Sequence, residues 1–340
     1  VDCVLDDPSG VRPVWSGVFV LGGGNPLTAR VDNVAAGAEC TVIETDNGGA
    51  NSTVISPNVI TIVDGQVASV TIENTFEAGA LDVIKTIDGP GAALYGTGPF
   101  EVSLSCTQDL PSGSAAVTIP GGATRVLDAA GGYRASYDSL PVGARCELSE
   151  TKTGGATSTT IVGDSGRPID TIEIVDGTSE ITLANTFELG SVSVTKVLSG
   201  SGASAHKDDI FTVLLACVWE VDGVDVQLAI PGGASRTIVA GDALVFTDLP
   251  VGAVCTLSET DAGGARAVTM TPDGSDASRA RVVIAAGASA QVEVDNRFDQ
   301  ALPPTGVNPM PLLVAGGVGV LIIGGGLIFV LLARRGRRDR

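Results

Sequence analysis

The hexapeptide Cys146-Glu147-Leu148-Ser149-Glu150-Thr151 occurs in three versions along this chain of 340 residues. The other two versions are Cys40-Thr41-Val42-Ile43-Glu44-Thr45 and Cys255-Thr256-Leu257-Ser258-Glu259-Thr260. As a β-strand, each version points its first, third and fifth side chains to one face, which is apolar apart from the glutamate. A carboxylate that faces a core costs several kcal/mol unless a partner compensates it. We therefore expect Glu44, Glu150 and Glu259 to have buried partners.

The hexapeptide belongs to a tandem array of long repeats. Asn74, Asn185 and Asn296 follow one another at intervals of 111 residues, and Lys85 and Lys196 have the same spacing. Short alternating apolar runs bounded by Gly, Pro, Asp and Asn fill the repeats, which predicts an all-β fold of tandem sandwiches.

The expected domains are an N-terminally truncated repeat at 1–78, complete repeats at 79–189 and 190–299, and a C-terminal segment at 300–340. The joints between repeats are short, which predicts a stalk with limited bending. The sequence has no signal peptide and its first repeat has no N-terminal strand, so we expect the natural protein to begin further upstream.

The six cysteines fall two per repeat: Cys3 and Cys40, Cys106 and Cys146, and Cys217 and Cys255. Paired cysteines in a regular array predict disulfides and an oxidising, extracellular environment, and the alternative is buried free thiols. The chain has one histidine and no Cys-x-x-Cys, so we expect no metal site and no cofactor. A net charge of -19 argues against nucleic acid as a partner.

The C-terminal segment combines Leu302-Pro303-Pro304-Thr305-Gly306 with an apolar run at 311–333 and a basic tail at 334–340. The run is long enough to form a transmembrane helix, with the arginines on the cytoplasmic side. Together these features resemble the cell-wall sorting signal of Gram-positive surface proteins. The resemblance implies that a sortase cuts between Thr305 and Gly306 and joins Thr305 to peptidoglycan, so that the membrane holds only the precursor. The alternative is an ordinary single-pass anchor.

Two further polar side chains lie on apolar strand faces in each complete repeat. Lys85 shares the face of Leu81 and Val83, and Asn185 shares the face of Leu183. Lys196 and Asn296 occupy the same positions in the next repeat. Each complete repeat is therefore predicted to point a Lys, a Glu and an Asn into its core, from its first, a middle and its last strand. In a sandwich of this size the first and last strands can be neighbours.

Burial gives these three groups a specific chemistry. Desolvation favours the neutral amine of a lysine and the protonated carboxyl of a glutamate, and a neutral amine is a nucleophile. Attack of the amine on the asparagine side-chain carbon would release ammonia and leave an amide crosslink. A protonated glutamate would hydrogen-bond the carboxamide, polarise it and transfer protons. Such a reaction happens once per domain, so we do not expect an enzyme with turnover. The alternative is a buried Lys–Glu ion pair beside a hydrogen-bonded asparagine.

On these residues the repeats resemble Cna B-type domains, the immunoglobulin-like sandwiches of Gram-positive adhesins and pilins. Members of that family carry a Lys in the first strand, a Tyr-x-Leu-x-Glu-Thr box and an Asn near the end of the last strand. In this chain a Cys replaces the Tyr of the box. The resemblance implies the following isopeptide bonds: Lys85–Asn185 assisted by Glu150, and Lys196–Asn296 assisted by Glu259. Glu44 and Asn74 match the pattern without a lysine.

The expected protein is a stalk on the cell wall, stiffened by isopeptide bonds and disulfides, with a sortase and peptidoglycan as its partners. One alternative is an adhesin whose ligand-binding head lies further N-terminal, for an unknown ligand on a host or other surface. Another is a pilin subunit, although the pilin motif Tyr-Pro-Lys-Asn is absent from this sequence. A secreted enzyme finds no support in the residues.

Overall fold

Twenty-four β-strands and two short helical turns make up the regular secondary structure of this computed structural model, which describes residues 1–163, 165–272 and 278–300. The predicted all-β fold of tandem sandwiches is confirmed. Within the described ranges, no helix is both long and apolar enough to cross a membrane. The predicted span at 311–333 and the sorting motif at 302–306 lie outside the described residues.

The first repeat contains two separate sheets. Its strands are β1 (Asp2–Asp7), β2 (Gly10–Ser16), β3 (Glu39–Thr41), β4 (Ser52–Ser56), β5 (Val59–Thr61) and β6 (Thr71–Thr75). One sheet has the order β2-β1-β3-β5, and the other pairs β4 with β6 alone.

The second repeat is a complete sandwich. It contains β7 (Ala78–Asp88), α1 (Ala92–Tyr95), β8 (Phe100–Leu110), β9 (Gly113–Ala116), β10 (Thr124–Leu127), β11 (Arg134–Pro141), β12 (Arg145–Lys152), β13 (Ser158–Val162), β14 (Ile172–Glu173) and β15 (Gly177–Thr186). One sheet has the order β11-β7-β15-β13, and the other has the order β10-β8-β12-β14 with β9 paired to β8. Strands β7 and β8 bury alternate residues, as the sequence pattern predicts, and these side chains fill the space between the sheets.

The third repeat has the same topology. It contains β16 (Leu189–Ser199), a 3-10 turn (Ala203–Ala205), β17 (Phe211–Val221), β18 (Val224–Gln227), β19 (Ser235–Ile238), β20 (Ala243–Pro250), β21 (Val254–Asp261), β22 (Ala267–Thr271), β23 (Arg279–Val283) and β24 (Ser289–Arg297). Its sheets have the orders β20-β16-β24-β22 and β18-β17-β21-β23, with β19 paired to β17.

All three predicted disulfides are present. They join Cys3 to Cys40, Cys106 to Cys146, and Cys217 to Cys255. In each repeat the two cysteines lie directly opposite each other on neighbouring antiparallel strands. Because each bond closes a loop of 37 to 40 residues, the chain-entropy model gives it a stabilisation of about 4 kcal/mol.

The first and last strands of each complete repeat are neighbours, which the sequence had allowed, and they pair in parallel. Asn185 in β15 lies opposite Ile87 in β7, so Lys85 lies two residues away on the same face. Asn296 in β24 lies opposite Leu198 in β16 in the same way. This register brings the predicted lysine and asparagine of each complete repeat together.

Candidate functional site

The second repeat gathers Lys85, Glu150 and Asn185 at one buried point between its sheets. Lys85 comes from β7, Glu150 from β12 and Asn185 from β15. Nζ of Lys85 lies 2.8 Å from Oε1 of Glu150, and the two side chains are 0% and 2% exposed. The ring of Phe100 covers the amine, with its centroid 4.7 Å from Nζ. The alternation of strand side chains predicts a shared buried face, and the structure places the three side chains in contact there.

Four hydrogen bonds fix the amide of Asn185 and the carboxyl of Glu150. Nδ2 of Asn185 donates to Oε1 of Glu150 and to the carbonyl oxygen of Thr153, each at 3.0 Å. The hydroxyl of Thr159 lies 2.9 Å from Oδ1 of Asn185 and 3.1 Å from Oε2 of Glu150. The lysine and the asparagine therefore touch the same carboxylate oxygen, and the hydroxyl bridges the other carboxylate oxygen to the amide oxygen.

This arrangement differs in one respect from the predicted mechanism, in which the glutamate polarises the carboxamide directly. Glu150 contacts the amide nitrogen, and Thr159 is the residue that reaches the amide oxygen. A protonated Glu150 can donate to the Thr159 hydroxyl while that hydroxyl donates to Asn185. The polarising hydrogen bond then passes through Thr159. Thr159 is not among the site residues that the sequence predicts.

Burial shifts the pKa values of Lys85, Lys196 and Glu259 in the direction that the crosslinking chemistry needs. Burial lowers the pKa of Lys85 to about 8, although the neighbouring Glu150 opposes the shift. In the third repeat burial lowers the pKa of Lys196 and raises the pKa of Glu259, and the attraction between the two groups opposes both shifts. A lower lysine pKa increases the neutral, nucleophilic fraction of the amine near neutral pH.

The third repeat has the same three groups with a looser hydrogen-bond network. Nζ of Lys196 lies 3.1 Å from Oε1 of Glu259, and the side chains are 0% and 1% exposed. Nζ also donates to the carbonyl of Val294 at 3.3 Å. Nδ2 of Asn296 donates to the carbonyl of Ala262 at 3.1 Å, the position that Thr153 holds in the second repeat.

Part of the difference between the two networks comes from one residue. Val268 lies opposite Asn296 in the third repeat, whereas Thr159 lies opposite Asn185 in the second. Valine cannot donate a hydrogen bond. Within the described chain, Oδ1 of Asn296 and Oε2 of Glu259 accordingly accept no hydrogen bond, whereas Oε1 of Glu259 is paired with Lys196. An unsatisfied buried acceptor costs about 1–3 kcal/mol, so the valine satisfies the amide oxygen of Asn296 less well than the threonine satisfies that of Asn185.

The first repeat holds the acidic and amide groups in the same geometry. Nδ2 of Asn74 donates to Oε1 of Glu44 at 2.9 Å. The hydroxyl of Thr53 lies 2.7 Å from Oδ1 of Asn74 and 3.2 Å from Oε2 of Glu44. All three residues are half-buried, and the sequence has no lysine before Lys85. The Glu–Thr–Asn network therefore forms without an amine.

These features define a class of protein: tandem all-β sandwich domains, each complete one enclosing a Lys–Glu–Asn centre between its first and last strands. The chain belongs to the family described as "Domain of unknown function (DUF5979)", whose sequence model matches residues 1–77, 81–188 and 192–299. No curated protein matches the chain.

The solved structures that match the chain include major pilins, a pilus-presented adhesin and B repeat units of a collagen binding protein. A major pilin protein from Streptococcus pyogenes matches at 14% identity and a TM-score of 0.38, covering 66% of this chain and 99% of that chain. Two B repeat units of the collagen binding protein (CNA) of Staphylococcus aureus match at 14% identity and a TM-score of 0.23, covering 67% of this chain and 52% of that chain. A pilus-presented adhesin matches at 14% identity and a TM-score of 0.27, and the chain spans 32% of its length.

Proposed function

We propose that the protein is a stalk of the bacterial cell surface whose complete repeats are locked by Lys85–Asn185 and Lys196–Asn296 isopeptide bonds. The observation that supports this most is the shared carboxylate oxygen of Glu150 in the second repeat, where the buried amine of Lys85 and the buried amide of Asn185 meet. In the third repeat Lys196 pairs with Glu259 in the same way. A buried Lys–Glu pair alone gives no reason for an asparagine at the same point of both complete repeats.

The bond-forming step needs no cofactor. The neutral amine of Lys85 attacks Cγ of Asn185, and a C–N bond forms as the bond from Cγ to Nδ2 breaks. Nδ2 leaves as ammonia and takes up a proton from the amine through Glu150, which returns to its starting state. Packing holds the three groups together before the reaction, and such proximity supplies much of the rate.

The position of the crosslink explains how it would strengthen a stalk. Tension enters the second repeat at the start of β7 and leaves at the end of β15, because these strands connect to the neighbouring repeats. Lys85 and Asn185 both lie near the C-terminal ends of these parallel strands. A bond between them carries the force directly from β7 to β15, and the chain between these two residues is not loaded.

The test of this proposal is the intact mass of the full chain after reduction of its disulfides. We expect the mass to fall short of the sequence mass by two ammonia molecules, one for each complete repeat. Lys85→Ala and Lys196→Ala should each restore one of them. A mass equal to the sequence mass would leave only the ion-pair interpretation.

We further propose that a sortase attaches the protein to peptidoglycan through Thr305, on the strength of the Leu302–Gly306 motif, the apolar run and the basic tail. In a Gram-positive host with a housekeeping sortase, the protein should then appear in the fraction that muramidase releases from the wall. Thr305→Ala should move it to the membrane fraction. Equal release of both forms would contradict anchoring at Thr305.

A further inference from the structure

In the two complete repeats, the loop that follows the hexapeptide closes the Lys–Glu–Asn site with its backbone. We call this segment the glycine loop: residues 46–50, 152–156 and 261–265 in the three repeats, each with a central Gly-Gly pair. In the second repeat the carbonyl of Thr153 accepts a hydrogen bond from Nδ2 of Asn185, and in the third the carbonyl of Ala262 does the same for Asn296. Nδ2 is the leaving group of the crosslinking step. The position of the glycine loop therefore sets the orientation of the reacting amide.

Two of the three glycine loops are held by an aspartate of their own. The N–H of Gly48 donates to Asp46 at 3.0 Å in the first repeat, and the N–H of Gly263 donates to Asp261 at 3.0 Å in the third. The equivalent residue of the second repeat is Lys152, which has no acceptor and instead pairs with Glu101 at 3.2 Å. The second glycine loop thus lacks the internal carboxylate.

The third repeat supplies the missing carboxylate. Asp222 lies at the tip of the hairpin between β17 and β18, in a two-residue Asp-Gly turn whose residues have φ values of 50° and 81°. Its carboxylate accepts the N–H of Thr153 at 2.7 Å, the hydroxyl of Thr153 at 3.3 Å and the N–H of Gly154 at 3.2 Å. Hydrogen bonds to an ionised acceptor are among the stronger ones in proteins.

The same hairpin packs against the rest of the glycine loop. A Cβ at Gly155 would lie 2.4 Å from the indole of Trp219, so the close approach depends on glycine. On its other side, Trp219 contacts Tyr95 of the second repeat edge to face, with the ring centroids 5.2 Å apart. The contact is therefore a fitted interface between successive repeats.

The junction between the first two repeats provides an internal comparison. There Gln108 donates to the carbonyl of Gly49 at 3.2 Å, so the hairpin again meets the glycine loop. Pro111 occupies the position of Asp222 and offers no carboxylate. The first glycine loop already has Asp46. A following repeat therefore supplies a carboxylate, that of Asp222, to the second glycine loop, which has no aspartate of its own. It supplies none to the first glycine loop, which has Asp46.

We propose that Asp222 is a positioning residue for the crosslink of the preceding repeat. By holding the glycine loop, it places the Thr153 carbonyl against the leaving nitrogen of Asn185. The site of the second repeat is then complete only when the third repeat is docked on it, whereas the site of the third repeat depends on its own Asp261. This inference rests on the proposed isopeptide chemistry.

The experiment follows both crosslinks in one molecule over time. The full chain is synthesised in an oxidising cell-free reaction with detergent, quenched at intervals and digested, and the Lys85–Asn185 and Lys196–Asn296 linked peptides are quantified. Asp222→Ala should slow the first crosslink about tenfold, since small displacements of reacting groups have effects of this size or larger, and should leave the second unchanged. Adding Lys152→Asp should restore the first crosslink by supplying an internal carboxylate, whereas adding Lys152→Ala should not.

The outcomes separate this inference from the proposal on which it rests. A wild-type chain without either linked peptide would overturn the isopeptide proposal and this inference with it. A wild-type chain with both peptides, and an unchanged first crosslink in Asp222→Ala, would overturn the inference alone. So would equal slowing of both crosslinks, or no rescue by Lys152→Asp. Hydrogen exchange gives a second readout that needs no crosslink: the Thr153 and Gly154 amides should lose protection in Asp222→Ala, and unchanged protection would refute the contact.

Discussion

Glu150→Gln should abolish the Lys85–Asn185 crosslink and lower the unfolding temperature of the second repeat by about 20 °C, with the third repeat unaffected. Glutamine keeps the shape of the side chain but can neither take the proton from Lys85 nor release one toward the leaving nitrogen of Asn185. The reaction should therefore stop at the noncovalent complex. The third repeat has its own Glu259 and should still form its crosslink.

The expected temperature change follows from the length of chain that the crosslink closes. A bond across the 100 residues from Lys85 to Asn185 restricts the unfolded state by about 4 kcal/mol in the chain-entropy model, with the disulfide already limiting part of that loop. For a domain of this size, each kcal/mol shifts the unfolding temperature by about 4–8 °C.

Proteolysis along a temperature ramp, with fragments assigned by mass, measures the two repeats separately. Glu147→Gln is the matched control, because Glu147 lies on the same strand but is exposed; it should leave both the linked peptide and the unfolding temperature unchanged. Recovery of the Lys85–Asn185 linked peptide from Glu150→Gln would show that the glutamate is dispensable and would remove it from the mechanism.

The sequence predicts much of this site because strand alternation is a simple geometric rule. Lys85, Glu150 and Asn185 each lie on an otherwise apolar face, so their burial follows from the period of two. The sequence also allows the first and last strands to be neighbours, but the parallel pairing of β7 and β15 is seen only in the structure. The disulfides are predicted in the same way, because each repeat contains two cysteines at a similar spacing.

Thr159 and Asp222 could not be predicted from the alternation of side chains within a single strand. Thr159 lies in a polar run, Ser158-Thr159-Thr160, that gives no sign of an inward role. Aligning the three repeats would have indicated this position. The residue nine positions after the inward glutamate is a threonine in the first two repeats (Thr53 and Thr159) and a valine, Val268, in the third. Asp222 is harder to identify, because it is an exposed hairpin residue whose partner belongs to another repeat. Only the placement of successive repeats reveals its role.

Lys196→Met should destabilise the third repeat more than the double variant Lys196→Met/Glu259→Leu, by about 3–5 kcal/mol. Both variants lack the crosslink, so the comparison isolates the cost of leaving Glu259 buried without its cation. Within the described chain the carboxylate of Glu259 accepts no other hydrogen bond, so leucine deprives no neighbouring donor of its acceptor. The second repeat should respond differently, since Glu150 also contacts Thr159 and Asn185.

The difference between these two variants should also depend on pH. Burial raises the pKa of Glu259, and loss of Lys196 removes the attraction that opposes this shift. Folded Lys196→Met therefore binds a proton more readily than its unfolded chain does. The destabilisation is fully present above the folded-state pKa, falls as the pH drops through that value, and is gone below the unfolded-state pKa.

Urea unfolding of the full chain in detergent is followed by pulse proteolysis with fragments assigned by mass, which measures the third repeat separately from the second. The gap in unfolding free energy between the single and double variants should be large at about pH 8 and should shrink to less than half at about pH 5. The double variant serves as the control for every other group that titrates in this range. A gap that stays constant with pH would mean that Glu259 is not a buried, charged group once Lys196 is removed, and the ion pair at the centre of the site would have to be reconsidered.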